Sequence, residues 1–264
     1  MYDLNYVKPK SSSDALNEYQ KSSEGQFLAG GMTLIPTLKS RLSSSDLLID
    51  LSDSDLSGIT VSSDSLNIKA MTTHADVSNS AEVKNSISAI SDLAGQIGDH
   101  MVRNRGTIGG SVANNDPSAC YPSAILSLDA TIKTSNREIK SDDFFMGLFE
   151  TTLDEGEIIT EFSFPIPEKA SYAKFSNPAS RYAIVGVFVS KFANNVRVAV
   201  TGAGQNGVFR SKEIEEALNN NFSSDALDGL NLDKDEMFSD IHAQNDYRAH
   251  LVVEMAKKAV KSIS

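Results

Sequence analysis

The sequence predicts an α+β protein in two parts that meet near residue 166. Three observations lead there. Upstream of FPIP, at 164–167, short apolar strands alternate with helical patterns and glycine-rich turns. Downstream, residues 171–176, 182–190 and 195–201 alternate or run apolar in valine and phenylalanine, which suits an antiparallel meander. Two helical segments then close the chain. Its 264 residues suffice for one large domain or two modest ones. A chain of this size buries roughly 70–75% of its unfolded surface and needs no disulfide or metal staple.

The elements follow from local pattern. SDALNEYQ, at 13–20, reads as a short helix with Ser13 or Asp14 as its N-cap. FLAGG, at 27–31, is a short strand running into a glycine turn, and MTLIPTLKSRL continues as a helix with Pro36 near its first turn. LLIDL, at 47–51, is a buried strand. Serine and aspartate crowd residues 52–65, marking a connection or subdomain boundary. LNIKAM, at 66–71, alternates as a strand. Ile87, Ile90, Ala94 and Ile97 fall at helical spacing and predict an amphipathic helix over 86–97. A glycine-rich stretch covers 106–116, and a short helix follows Pro122. Strands are expected near 129–134 and 157–164, and a last helix over about 246–262. Tyr247, Leu251, Met255 and Ala259 share one face of that helix, and Lys257, Lys258 and Lys261 suit its C-terminal end.

Composition removes several function classes. The net charge of -11 and a pI of about 4.8 argue against nucleic-acid binding, which needs a basic patch. The single cysteine, Cys120, forms no internal disulfide, no Cys-based zinc site and no iron–sulfur cluster, which takes about four ligands. No apolar signal core opens the chain and no long apolar run crosses a membrane, so a soluble, cytoplasmic protein is expected. The histidines form no metal-spaced pair. His242 and His250 read as surface or helix-packing residues, and His100, beside the second glycine cluster, reads as packing ahead of ligand contact. Asp53, Asp55 and Asp64 read as a solvated loop without the glycine and glutamate of a calcium site.

Three glycine clusters carry the chemical signal. In Ala29-Gly30-Gly31-Met32-Thr33, adjacent glycines after a strand allow either a tight turn or a nest of N–H groups for an anion. Arg105-Gly106-Thr107-Ile108-Gly109-Gly110-Ser111, followed by Asn114-Asn115-Asp116-Pro117, is denser in small residues than a turn requires. Together the two loops suit a pyrophosphate clamp. Arg103 and Arg105 either neutralise phosphate there or face solvent or another subunit. The third cluster, Gly202 to Gly207, matches GxGxxG, but the polar residues 221–240 offer no second strand for a dinucleotide fold. A glycine-rich hairpin or bulge is the better reading.

AGGMTLIPTLKSRL (29–42), RNRGTIGGSVANNDPSACYPSAIL (103–126) and KFSNPASRYAIVGVFV (174–189) resemble the FAD-binding medium subunits of the carbon monoxide dehydrogenase and xanthine dehydrogenase family, the molybdenum hydroxylases. VRVAVTGAGQNGVFR and DYRAHLVVEMAKKAV extend the resemblance to nearly the whole chain. It implies a two-subdomain FAD-binding domain of the vanillyl-alcohol-oxidase (PCMH) type over 1–166, with subdomains about 1–55 and 56–166. A small α+β C-terminal domain with an antiparallel sheet then covers 167–264.

It also implies a site. Backbone amides of Ala29, Gly30, Gly31, Met32 and Thr33, and of Thr107, Ile108, Gly109, Gly110 and Ser111, hold the FAD pyrophosphate. Further contacts fall on Ile97 and Ile159, and Lys174 approaches the flavin, with Tyr182 a weaker candidate near its ring. Valine at Gly109 or Gly110 is then expected to block the pyrophosphate. Two departures stand out. Cys120 occupies a position often acidic in relatives, so that contact is either lost or supplied by Asn115 or Asp116. Arg181 stands where relatives often carry an acid, which alters the charge at the flavin's outer face.

The implied function is electron transfer. Electrons reach the FAD from two [2Fe–2S] clusters on a small subunit, and a molybdopterin large subunit oxidises the substrate. The three chains are expected as a heterotrimer dimerised to a heterohexamer. No catalytic acid–base pair is demanded of this chain, since FAD carries electrons and the protein positions and tunes it. The competing readings are a free-standing FAD-dependent oxidoreductase, which needs an acid or base near the flavin that the sequence does not show, and a non-enzymatic nucleotide-binding module.

Overall fold

The structure, a computed structural model, describes residues 1–263. Its first layer is a small parallel sheet. Strands β1 (Asn5–Val7) and β2 (Gln26–Leu28) flank β3 (Leu47–Asp50), and helices α1 (Ser12–Tyr19) and α2 (Leu34–Lys39) make the crossovers. The cap of α1 is Ser11, not Ser13 or Asp14. Ser11 holds extended backbone and its Oγ accepts the Asp14 amide at 3.0 Å. Ala15, Ile49 and Leu51 bury the face of this layer against Met71 and Ile158.

A five-stranded sheet follows, in the order β4 (Ile59–Val61), β5 (Ser65–Lys69), β10 (Ile159–Pro165), β6 (Thr131–Thr134), β7 (Glu138–Lys140). Between β5 and β6 the chain inserts five helices: α3 (His74–Asn79), α4 (Ala81–Gly95), α5 (His100–Arg103), α6 (Ile108–Asn114) and α7 (Tyr121–Ser127). Leu66, Ile68, Ile132, Phe162 and Phe164 of the sheet meet Ile90, Leu93, Val112 and Ile125 of the helices in the largest core. At about 25 cal/mol per Å² of apolar surface, burial of this kind outweighs any local helix propensity. A short hairpin, β8 (Phe145–Gly147) and β9 (Glu150–Thr151), lies outside that sheet.

The chain then builds a four-stranded antiparallel sheet, β11 (Lys169–Ser176), β12 (Ala183–Lys191), β13 (Val196–Gly204) and β14 (Gly207–Arg210), with α8 (Lys212–Asn220) and α9 (Asn245–Lys261). This is the expected meander with one added strand. Val185, Val187 and Val189 pack into the core of α8 and α9. Phe188 joins the core of the five-stranded sheet, and Ser190 bonds Ser127 of α7 at 2.9 Å. Both faces of β12 are therefore covered, which explains its near-continuous apolar run. The GxGxxG segment is the β13–β14 hairpin: Gly204 pairs with Gly207, and Gly202, at φ +80°, lies against the carbonyls of Ala183 and Ile184.

Candidate functional site

The loop that leaves the C-terminal end of β2 is Ala29 to Thr33, and the crevice beyond the carboxyl ends of parallel strands is where α/β sheets bind ligands. Gly31 sits at φ +73°. No amide of Gly30, Gly31, Met32 or Thr33 donates to another described residue, and the Thr33 hydroxyl has no partner either. Gly30 rests on the backbone of Arg105 and Gly106, and Gly110 rests on Ala29. The two glycine clusters, about 75 residues apart in sequence, are thus in contact.

The second cluster differs from expectation. Thr107 caps α6, accepting the Gly110 amide on its Oγ1 at 3.1 Å. The Ile108 amide donates to the Thr72 carbonyl, Gly109 to Ala70, and Ser111 to Thr107. Amides 108–111 therefore hold α6 against the end of β5 and are engaged within the chain, in contrast to those of the first loop. The Ile108 side chain is fully buried in the core and does not line the cleft. What TIGG offers the cleft is the surface of Gly109 and Gly110, the Thr107 amide and the Ser111 hydroxyl.

These loops line a cleft of about 490 Å³, within the 300–1,000 Å³ usual for cofactor-sized sites. Ala29, Gly30, Gly31, Met32, Thr33, Ile97, Thr107, Gly109, Gly110, Ser111, Cys120, Ile159 and Lys174 all face it. Asn115 does not. It lies at φ +42° behind α6, and its Nδ2 donates to the carbonyls of Gly147 and Glu150 at 2.8 and 2.9 Å. It therefore holds the β8–β9 hairpin and is not available as a substitute for the contact missing at Cys120. Asp116 does line the cleft. Burial holds its carboxyl above the usual carboxylate range, although it accepts the Ser118 amide.

At the far end, Lys174 of β11 is 9% exposed. Its Nζ donates to the Gln96 carbonyl at 2.8 Å and approaches the Cys120 Sγ at 3.5 Å. The β11–β12 turn brings Ser180, Arg181 and Tyr182 over the cleft, with Tyr182 half exposed. Burial raises the Tyr182 phenol, and Asp116 and Cys120 add to this. Arg181, at φ +63°, reaches the Gly98 carbonyl at 3.4 Å.

Several lining residues carried no site assignment in the sequence. His74 is the main one. It is buried beside Gly106, and burial, with Arg103 nearby, lowers its pKa to about 4. It is neutral at pH 7, and its Nδ1 has no partner among the described residues. The available signal was Thr73 as N-cap with Asp76 three residues on, which puts His74 at a helix start. Phe27, Leu51, Met71, Leu153 and Ile158 form an apolar end to the cleft. His100 instead bonds Arg103 and stays outside, and Arg103 ties the carbonyls of Ile97 and Gly98, away from any phosphate role. Arg105 does not line the cleft either.

Residues 2–167 match the family model for the FAD binding domain in molybdopterin dehydrogenase. The chain belongs to this family. It is similar to the glyceraldehyde dehydrogenase medium chain of Sulfolobus acidocaldarius, at 30% identity over 99% of each chain. It is also similar to the nicotine 6-hydroxylase medium subunit of Paenarthrobacter nicotinovorans, at 29% identity over 97% of this chain and 96% of that one. Among solved structures, reconstituted CO dehydrogenase from Oligotropha carboxidovorans superposes with a TM-score of 0.89 at 27% identity, covering 98% of this chain and 97% of that one. The protein is an FAD-binding medium subunit of the molybdenum hydroxylase family, with the α+β, PCMH-type fold of that subunit. Its relatives are medium chains of multi-subunit oxidoreductases. No described helix is long and apolar enough to cross a membrane.

The cleft fits FAD on its own geometry. A run of undonated amides meets the need of a pyrophosphate. Gly30 leaves no room for a Cβ where the two loops touch, and Gly110 is close-packed against Ala29 there. The apolar end suits a stacked ring, and the buried ammonium of Lys174 suits an electron-rich one.

Proposed function

We propose that FAD lies along this cleft with its pyrophosphate on the amides of Gly30 to Thr33, and that the chain relays electrons within a larger complex. The observation that carries the reading is the pairing of undonated amides on one loop with a second loop pressed against it, in a single cleft. The hydroxyls of Thr33 and Ser111 supplement the amides. Phe27, Leu51, Leu153 and Ile158 would hold the adenosine, and Cys120, Lys174 and Tyr182 would hold the flavin ring. In this reading residues 1–166 form the FAD-binding domain, and residues 167–264 contribute Lys174 and Tyr182 to the flavin end.

Bound FAD supplies the ability to accept and return electrons singly or in pairs. This chain's residues do the rest. The glycine loops fix the cofactor, Tyr182 and Arg181 restrict water at the mouth, and Lys174 offers a donor to the ring. Electrons arrive from the [2Fe–2S] clusters of a small subunit and originate at a molybdopterin large subunit. The assembly is a heterotrimer doubled to a heterohexamer in the cytoplasm. Support for this comes from the relatives, which are medium chains, and from a chain whose single cysteine can hold no cluster.

Two measurements test the reading. The purified full-length chain should show the visible flavin absorption band, stoichiometric with protein, and Gly30→Val should remove it. Affinity purification of the tagged chain from its native host should bring down iron and molybdenum. A chain recovered alone, fully active as a dehydrogenase, would sink the complex assignment.

A further inference from the structure

Lys174 is a buried cation with no anion to match it. It is 9% exposed, and no carboxylate lies within ion-pair distance of its Nζ among the described residues. Its two neighbours are a neutral carbonyl, Gln96, and a sulfur, Cys120. An ammonium has three donors, so one proton has no partner within the chain. Lys174 lines the cleft.

The other charged groups of the cleft do not neutralise it. Glu157 is bound by Arg137 at 2.9 Å and by Thr134 at 2.6 Å. Asp116 accepts the Ser118 amide, and burial favours its protonated form. His74 is neutral, and Arg181 is a second cation. Burial raises the phenol of Tyr182, which stays uncharged, and does the same for Tyr172, which lies outside the cleft lining. A buried charge is normally paired, and an unpaired one is costly. A cost of this kind is retained at a site where the opposite charge is bound or develops.

We propose that the unbalanced charge of Lys174, which has a cysteine and no carboxylate beside it at position 120, raises the reduction potential of the bound FAD. The inference rests on the reading that the flavin ring lies at this end of the cleft. Uptake of two electrons and one proton adds one net negative charge to the ring. A fixed positive charge in a low-dielectric site favours the product over the reactant, because their charges differ and the protein's does not. Cys120 is then a tuning position, since an acid there would cancel the effect and a thiol does not. The site is set toward drawing electrons onto the flavin.

The test is a dye-coupled redox titration of the full-length, FAD-loaded chain, with dithionite as reductant. Lys174→Met and Cys120→Asp should each shift the reduction equilibrium at least tenfold toward oxidised flavin, about 30 mV lower for a two-electron couple. Cys120→Ser, which cannot ionise, should leave the potential unchanged. Either of the first two variants suffices if the other fails to fold. Normal FAD uptake with an unchanged potential in Lys174→Met overturns the proposal. So does a tenfold rise in Cys120→Ser, since it would show that the native sulfur is a thiolate balancing the lysine. A wild-type chain that takes up no FAD overturns the cleft reading itself, and with it this inference.

Discussion

Gly30 lies directly on the carbonyl of Arg105, with no room for a Cβ between them. With Gly110 against Ala29, that contact brings the two glycine loops to a common cleft. Valine at position 30 should push the loops apart, because its Cβ would overlap the Arg105 oxygen and stand 2.7 Å from the Gly106 Cα. The expected loss in FAD affinity is at least tenfold, or about 1.4 kcal/mol. Overpacking should also cost about 1–3 kcal/mol of stability. Flavin fluorescence titration reads the first and thermal melting of the apoprotein reads the second. Full affinity in a folded variant would contradict the shared-cleft geometry.

Gly109 should behave differently from Gly30, although both lie on the cleft. A Cβ at Gly109 would stand 2.6 Å from the Ala70 Cβ and 2.7 Å from its carbonyl oxygen. The expectation from sequence, that valine there blocks the pyrophosphate, therefore names the wrong obstacle. The variant should lose about 1–3 kcal/mol of stability with no cofactor present, as α6 is forced off β5. Urea unfolding of the apoprotein measures this. An unchanged midpoint would restore the simpler picture of a glycine kept open for a ligand.

His74 gives the fold a pH dependence of known sign. Burial, then Arg103, lowers its pKa from 6.5 to about 4. The folded state therefore binds this proton less readily than the unfolded state. Its contribution is fully present above pH 6.5 and is lost as pH falls from there toward 4. The difference amounts to about 3 kcal/mol at the acid end. Urea midpoints should drop between pH 7 and pH 5 more in the native chain than in His74→Gln. Parallel pH profiles for the two proteins would remove His74 from the account.

Much of this arrangement is legible in the residues themselves. An apolar run announces β12 and the repeated valines announce β13, because both strands are buried along nearly their whole length. The AGG loop is legible as a glycine turn after an apolar strand, and it is the second glycine cluster, with the resemblance, that turns the reading from a plain turn to a ligand loop. The helix at Ile108–Asn114 is not legible, since two glycines in its first turn argue against helix, and only the Thr107 cap and the packing on Ala70 override them. Strands of three residues such as β1 and β7 lack enough length to show a period, and their pairing is tertiary. His74 escapes notice for a related reason. Its place in the cleft depends on the Thr73–Thr107 bridge, a contact between positions 34 apart.

Asn115 shows the same limit and permits the sharpest separation of structure from cofactor binding. Its sequence neighbours suggest a ligand contact, yet its side-chain Nδ2 donates to the carbonyls of Gly147 and Glu150, while its backbone carbonyl accepts the Phe149 amide at 3.1 Å. Its φ of +42° is tolerated by asparagine better than by most residues. Asn115→Ala should cost about 1–3 kcal/mol through the two carbonyls it leaves unmatched. Asn115→Asp should cost more at pH 7, because an acceptor then faces two acceptors. Its stability relative to Asn115→Ala should recover as the pH falls and the carboxyl gains a proton to donate. FAD affinity at saturating folding conditions should change little in either variant. Urea titrations at pH 7 and pH 4.5, set beside flavin binding at pH 7, decide the matter: an aspartate variant no worse than alanine, or a selective loss of FAD, would return Asn115 to the cofactor site.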